Sequence, residues 1–131
     1  MKVVIALHEE QLIPAQAVRQ LYDAVGWWPE RTLDQIAEVL NQDQAVGAWA
    51  AERLVGFARV LSDGHWRAYI EDVMVHPDYR QQGVADRMLQ RLLARMAHIE
   101  TISLFCHSSL IPLYERHGFA VFEKQKVLHH A

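Results

Sequence analysis

Cysteine is almost missing from this chain: Cys106 is the only one in 131 residues. A single thiol excludes an internal disulfide and suits a reducing compartment, so a cytoplasmic location is expected. Long apolar runs are missing too. No stretch approaches the roughly 18 uninterrupted apolar residues of a membrane-spanning helix, and no membrane association is expected. The apolar start, Met1-Lys2-Val3-Val4-Ile5-Ala6-Leu7, meets charged and polar residues at once, with no small-residue cleavage site. It reads as a first strand rather than a signal peptide. Basic excess is also lacking: Lys and Arg number 13 against 16 Asp and Glu, a net charge of −3. That balance argues against a nucleic-acid partner, which needs a basic face. The eight histidines are scattered, and none has Cys or carboxylate partners at metal-ligand spacing, so no metal site is expected. There are no repeats, low-complexity tracts or linkers. With 51% hydrophobic residues, a chain of 131 residues can bury one sizeable core. Residues 1–131 are expected to form a single domain.

Hydrophobic periodicity divides the chain into elements. Residues 2–7 form a strand. Ala17, Val18, Leu21 and Tyr22 have helical spacing, with Pro14 in the first turn and Gly26 placed to end the helix. Thr32 and Gln35 form a T-x-x-Q capping box ahead of a second helix, whose stripe is Leu33, Ile36, Ala37 and Leu40. Strands over 45–51 and 54–61 flank a tight turn at Glu52-Arg53, and a further strand runs from Trp66 to Val75. From Val84, apolar residues recur every four positions through Met88, Leu92 and Met96, a helix with a wide buried face. A strand over 101–106, a short helix over 110–117 ended by Gly118, and a final strand over 119–128 complete the reading. The order is β-α-α-β-β-β-α-β-α-β. The expected class is α/β (α+β), one mixed sheet flanked by helices, with a right-handed parallel crossover between 66 and 106.

The segment with the most chemical content runs from Val73 to Ala85. A β-branched strand stops at Pro77, a polar turn containing Gly83 follows, and a helix begins directly after it. Backbone N–H groups at such a helix start can cradle a phosphate, and the helix dipole favours the negative charge. Arg80 adds a fixed positive charge, while Gly83 and Ala85 let a ligand approach the backbone. The plain alternative is a strand-to-helix turn in which Gly83 only relieves strain.

The pattern Val73-x-Val75-x-Pro77-x-Tyr79-Arg80-x-x-Gly83-x-Ala85 resembles the acetyl-CoA signature of the GNAT superfamily of acyl-CoA N-acyltransferases. A second segment, Leu113-Tyr114-Glu115-Arg116-His117-Gly118-Phe119, is similar to that family's LYxKxGF motif. Their order and spacing match, and the resemblance covers nearly the whole chain. It implies a GNAT-like fold and an acetyl-CoA-dependent N-acetyltransferase acting on the primary amine of a small molecule by direct attack in a ternary complex; a protein lysine or N-terminus as acceptor, and a non-catalytic acyl-CoA-binding module, are the alternatives. A homodimer is a further expectation at the family level. The resemblance also implies that Val73 and Val75 offer backbone groups to the pantetheine arm and that the N–H of Val75 polarises the thioester carbonyl. Arg80, Gln81, Gln82, Gly83, Val84 and Ala85 would form the pyrophosphate cradle. Ala85 and Ser108 stand where many members have glycine and asparagine.

Acyl transfer needs proximity, a deprotonated amine and a proton for the departing thiolate. Tyr114 is the candidate acid, with a gain of general-acid size, ~10²–10⁴-fold; the alternative is a core tyrosine. Glu71 is the candidate base. Strand alternation puts it on one face with Tyr69, Val73 and Val75, and Asp72 on the other. The segment Ile70-Glu71-Asp72-Val73 is also similar to its counterpart in the glucosamine-phosphate acetyltransferases. Glu71 can instead bind the substrate ammonium or pair with Arg59 or Arg67, and a bulge would hand the role to Asp72. Trp27, Trp28 and Arg31, between the first two helices, are candidates for the acceptor pocket together with Tyr69; a core plug or an interface are the alternatives for the tryptophans. Cys106 is read as a small core residue, in preference to a nucleophile with His107, and Ser108 and Ser109 as helix caps.

Overall fold

The computed structural model describes residues 2–130. Five strands form one sheet in sequence order: β1 (Val3–Leu7), β2 (Gln44–Ala50), β3 (Arg53–Ser62), β4 (Arg67–Val75) and β5 (Thr101–Leu104). The first four pair antiparallel, and β4 pairs β5 in parallel. A parallel pair needs a long crossover, which α3 (Val84–Arg95) supplies.

Helices cover both faces. On one side α1 (Ala15–Val25) and α2 (Leu33–Gln42) bury Val18, Leu21, Tyr22, Ile36 and Leu40 against Phe57 and Met74. On the other, α3 lays Val84, Met88, Leu89 and Leu92 on Val46, Ala48, Val55, Ala58 and Val60, and Tyr114 from α4 (Ile111–Glu115) joins this cluster. Gly56 explains how closely α3 approaches. A Cβ there would stand 2.9 Å from Cβ of Ala48 and 3.1 Å from the Met88 sulfur. The capping box forms as expected: Gln35 N donates to Thr32 Oγ1 at 3.2 Å, and Thr32 N donates to Gln35 Oε1 at 3.0 Å.

Three expectations are corrected. The β2–β3 turn is Ala51-Glu52, because Ala50 pairs Arg53 and Ala51 takes a left-handed φ of 54°. The last helix is shorter than expected: Pro112 lies near its start, after a 3-10 turn at Ser108–Leu110. No strand forms over 119–128 among the described residues. Val121, Phe122, Val127 and Leu128 there are exposed, so the alternation has no buried face to fix it in a ladder. No described helix is long and apolar enough to cross a membrane, and no cluster of metal-ligating side chains occurs among the described residues.

Candidate active site

The sheet parts at one end. Pairing of β4 with β5 runs from Arg67↔Thr101 to Ile70↔Leu104 and stops there. The cause lies within β4. Arg59 pairs Glu71 and Phe57 pairs Met74, so β4 carries one more residue than β3 between these pairs. The extra residue makes a bulge at Asp72, whose φ is 57°. Aspartate tolerates this left-handed region better than most side chains.

The bulge overturns the expected shared face. Ahead of it, Ala68 and Ile70 pack on the α3 side, while Glu71 meets Arg59 on the opposite face. Beyond it, Val73 and Val75 pack on the α3 side and Met74 turns to the α1–α2 side. Tyr69 and Glu71 therefore do not share a face with Val73 and Val75. The backbone gains a function in exchange. The N–H of His76 donates to Val55 of β3 at 2.7 Å. By alternation, the backbone groups of Val73 and Val75 point the other way, into the gap left by β5.

A cavity of ≈ 530 Å³ occupies this gap. Trp27, Trp28, Tyr69, Glu71, Val73 and Tyr114 line it, together with Asp72, Phe105, Cys106 and His107. Six residues singled out from the sequence are thus brought together from three parts of the chain. Arg31 is not among them: it lines a separate cavity of ≈ 350 Å³ between α1, α2 and the sheet. Val75 and the 80–85 turn also lie outside the lining, further along the unpaired side of β4.

Tyr114 is 5% exposed, with its ring 6.0 Å from that of Phe119 in an edge-on contact. Burial, and then the nearby Cys106 thiol, push its pKa up to about 12. Cys106 itself is exposed, which corrects the core assignment; β5 ends at Leu104, before it can be covered. The expected serine caps are replaced by His107, whose Nδ1 accepts from the N–H of Ser109 at 3.1 Å. Tyr69 stacks at a tilt on Phe105, 5.1 Å between centroids, and burial together with the Glu71 and Asp72 charges raises its pKa.

Beneath the cavity lies a buried charge cluster that the sequence reading largely missed. The Arg59 guanidinium donates to Asp72 (2.7 Å), Asp43 (2.8 Å) and Glu71 (2.9 Å). Asp72 Oδ2 also accepts from Tyr22 (2.8 Å) and Arg31 (2.9 Å). Burial alone would raise the Asp72 pKa. Hydrogen bonds from Arg59 and Tyr22, with the charges of Arg59 and Arg31, outweigh burial and hold it below the usual carboxylate range. A carboxylate held ionised by three donors on one oxygen is a poor base, so the bulge does not pass that role to Asp72. Glu71 uses only Oε2 on Arg59, and its Oε1 has no hydrogen-bond partner among the described residues. The sequence signal for the cluster was a lone arginine inside the apolar strand Leu54–Leu61.

The turn after β4 has the features of an anion cradle. Gln81 and Gly83 have φ of 62° and 76°, and Gly83 caps α3. A Cβ added at Gly83 meets nothing within 4 Å, so the space beside its backbone is open. Arg80 folds back, and its Nε donates to the Val75 carbonyl at 3.1 Å. The open N–H groups fit a pyrophosphate, and the unpaired backbone of β4 leads from them to the cavity.

The profile of the acetyltransferase (GNAT) family matches residues 8–119. The uncharacterized N-acetyltransferase ycf52 of Porphyra purpurea is 35% identical over 109 residues, 78% of this chain and 62% of that protein. A Glycine max protein named histone acetyltransferase TAP1 is 31% identical over 116 residues, 78% of this chain and 50% of its own. The chain thus spans between half and about three fifths of these curated relatives. A GNAT-family acetyltransferase structure from Streptococcus pneumoniae superposes with a TM-score of 0.83 at 20% identity, covering 99% of this chain and 96% of the other. That likeness shows the fold.

Proposed function

Since the chain belongs to the GNAT acetyltransferase family, we propose that it transfers the acetyl group of acetyl-CoA to the primary amine of a small molecule, by direct attack in a ternary complex. The observation that carries the reading is the cavity where β4 and β5 part. It holds aromatic walls, the Glu71 carboxylate with a single arginine contact and the buried Tyr114 phenol in ≈ 530 Å³, a volume typical of small-molecule sites.

Acetyl-CoA supplies the activated acyl group, and the chain supplies everything else. The 80–85 turn binds the pyrophosphate, with Arg80, Gln81, Gln82, Gly83, Val84 and Ala85 as the cradle. Val73 and Val75 hold the pantetheine arm through backbone groups on the open side of β4, and the Val75 N–H faces the thioester carbonyl. Glu71 attracts the acceptor's ammonium and draws its proton, directly or through water. Trp27, Trp28 and Tyr69 exclude water around the amine. Tyr114 keeps a phenolic proton available for the developing thiolate.

The cradle has a direct test. Gly83→Asp is expected to weaken acetyl-CoA binding by about 10- to 100-fold, because a carboxylate replaces open space beside charge-assisted hydrogen bonds worth roughly 1.5–3 kcal/mol each. Gly83→Asn, which tolerates the same φ, should weaken it far less. Calorimetric titration of acetyl-CoA into both variants checks this, and equal affinities would refute the cradle.

A protein acceptor is the rival reading, supported by the name of the soybean relative. Thioester release is to be measured against amino sugars, polyamines, aminoglycosides, amino acids and lysine peptides. The proposal expects turnover with small amines; turnover confined to peptides would replace it with the rival.

A further inference from the structure

The acceptor wall is held by a strut that runs into the bulge of β4. Arg19 on α1 reaches across the loop between α1 and α2. Its guanidinium donates to the carbonyls of Trp28 (3.0 Å), Arg31 (2.6 Å) and Trp27 (3.3 Å). Trp28 has a left-handed φ of 51°, uncommon for a bulky residue, and this clamp restrains it. Arg31 makes the second connection. Its guanidinium carbon lies 4.4 Å from the Trp28 ring centroid. Its Nη1 donates to Asp72 Oδ2 and to the Tyr22 hydroxyl, each at 2.9 Å. One planar group therefore joins the indole on one side of the cavity to the bulge residue on the other. Two left-handed residues from distant parts of the chain, Trp28 and Asp72, are locked together through it.

We infer that Arg31 and Arg19 are positioning residues for acceptor selection: they fix the distance between the Trp27–Trp28 wall and the β4 bulge, so the acceptor meets a preformed slot. The inference rests on the small-amine reading above and assigns Arg31 a place behind the wall rather than against the substrate. Lysine cannot replace either arginine. Its three donors sit on one compact nitrogen, which cannot stack flat on an indole as Arg31 does, nor reproduce the bonds that Arg19 makes from both Nη1 and Nη2.

Arg31→Lys and Arg19→Lys are to be compared with wild type in two measurements. The first follows the indole N–H resonance of Trp28 in ¹⁵N-labelled protein, identified by its loss in Trp28→Phe. It is expected to be single and sharp in wild type and to shift or broaden in both lysine variants. The second compares KM for the best amine with Kd for acetyl-CoA. KM is expected to rise about tenfold or more, as misplacement of a binding wall does, with acetyl-CoA affinity within about twofold and selectivity between narrow and bulky amines reduced. An unmoved indole signal overturns the inference, and so does an equal loss of acetyl-CoA affinity, which would mark general loosening. If the wild type acetylates no amine, the functional reading fails, and the indole signal alone decides whether the strut exists.

Discussion

Tyr114→Phe is expected to lower turnover by about 10- to 100-fold and to leave acetyl-CoA affinity within about twofold. The substitution removes one oxygen and keeps the ring that packs in the core near Phe119. The magnitude follows from the environment of that oxygen. Burial pushes the phenol up to about 12, well above a thiol near 8.5. Full proton transfer from such a phenol to a departing thiolate is uphill. The useful contribution is therefore a hydrogen bond to the developing charge, worth roughly 1.5–3 kcal/mol. This reaches only the low end of the ~10²–10⁴-fold general-acid range that the sequence suggested. The sign with pH also follows. With its pKa raised to about 12, the group stays protonated throughout an assay from about pH 6 to 9. The deficit of the variant should be constant across that range. Steady-state kinetics at several pH values are the check; full turnover at every pH would remove Tyr114 from the chemistry.

Arg59→Met should destabilise the fold by about 3–5 kcal/mol, since it strips the buried Asp72 of its shortest ion pair and leaves the part-buried Asp43 and Glu71 without their cation. Arg59 is 8% exposed and holds three carboxylates, of which the Asp72 side chain is 3% exposed. Arg31 and Tyr22 would still satisfy part of Asp72, but Asp43 and Glu71 would lose their arginine. In wild type the lowered pKa of Asp72 gives stability that is present above the ordinary aspartate value and is lost as pH falls through the folded one. Without Arg59 the carboxylate protonates more readily, so the deficit should shrink toward acidic pH. Urea unfolding at neutral pH and near pH 4.5, read from midpoints at unchanged slope, tests both statements. A loss under about 1 kcal/mol at neutral pH would make the cluster peripheral.

The backbone geometry on which the proposed donor site rests was legible in the sequence because it is local. A strand, a turn with Gly83 and a capped helix follow one another in fewer than fifteen residues, and their backbone geometry depends on neighbours in the chain. The same holds for the Thr32–Gln35 box and the stripe of α3. Alternation, by contrast, misplaced Glu71. Period two is reliable only in an unbroken strand, and the bulge at Asp72 shifts the phase by one residue. Arg31 was read as part of the acceptor pocket, but it does not line the cavity between β4 and β5, since the carboxylate that captures it lies 41 positions away.

The sequence by itself determined the element order through β5 and the family pattern, because short-range periodicity and turn chemistry encode them. Only the tertiary structure decided how the sheet opens, which oxygen of Glu71 stays free, and how Arg19 and Arg31 hold the Trp27–Trp28 loop. Those outcomes rest on side chains far apart in the chain. Burial strengthens their electrostatics, and no local pattern announces which charges will be brought together.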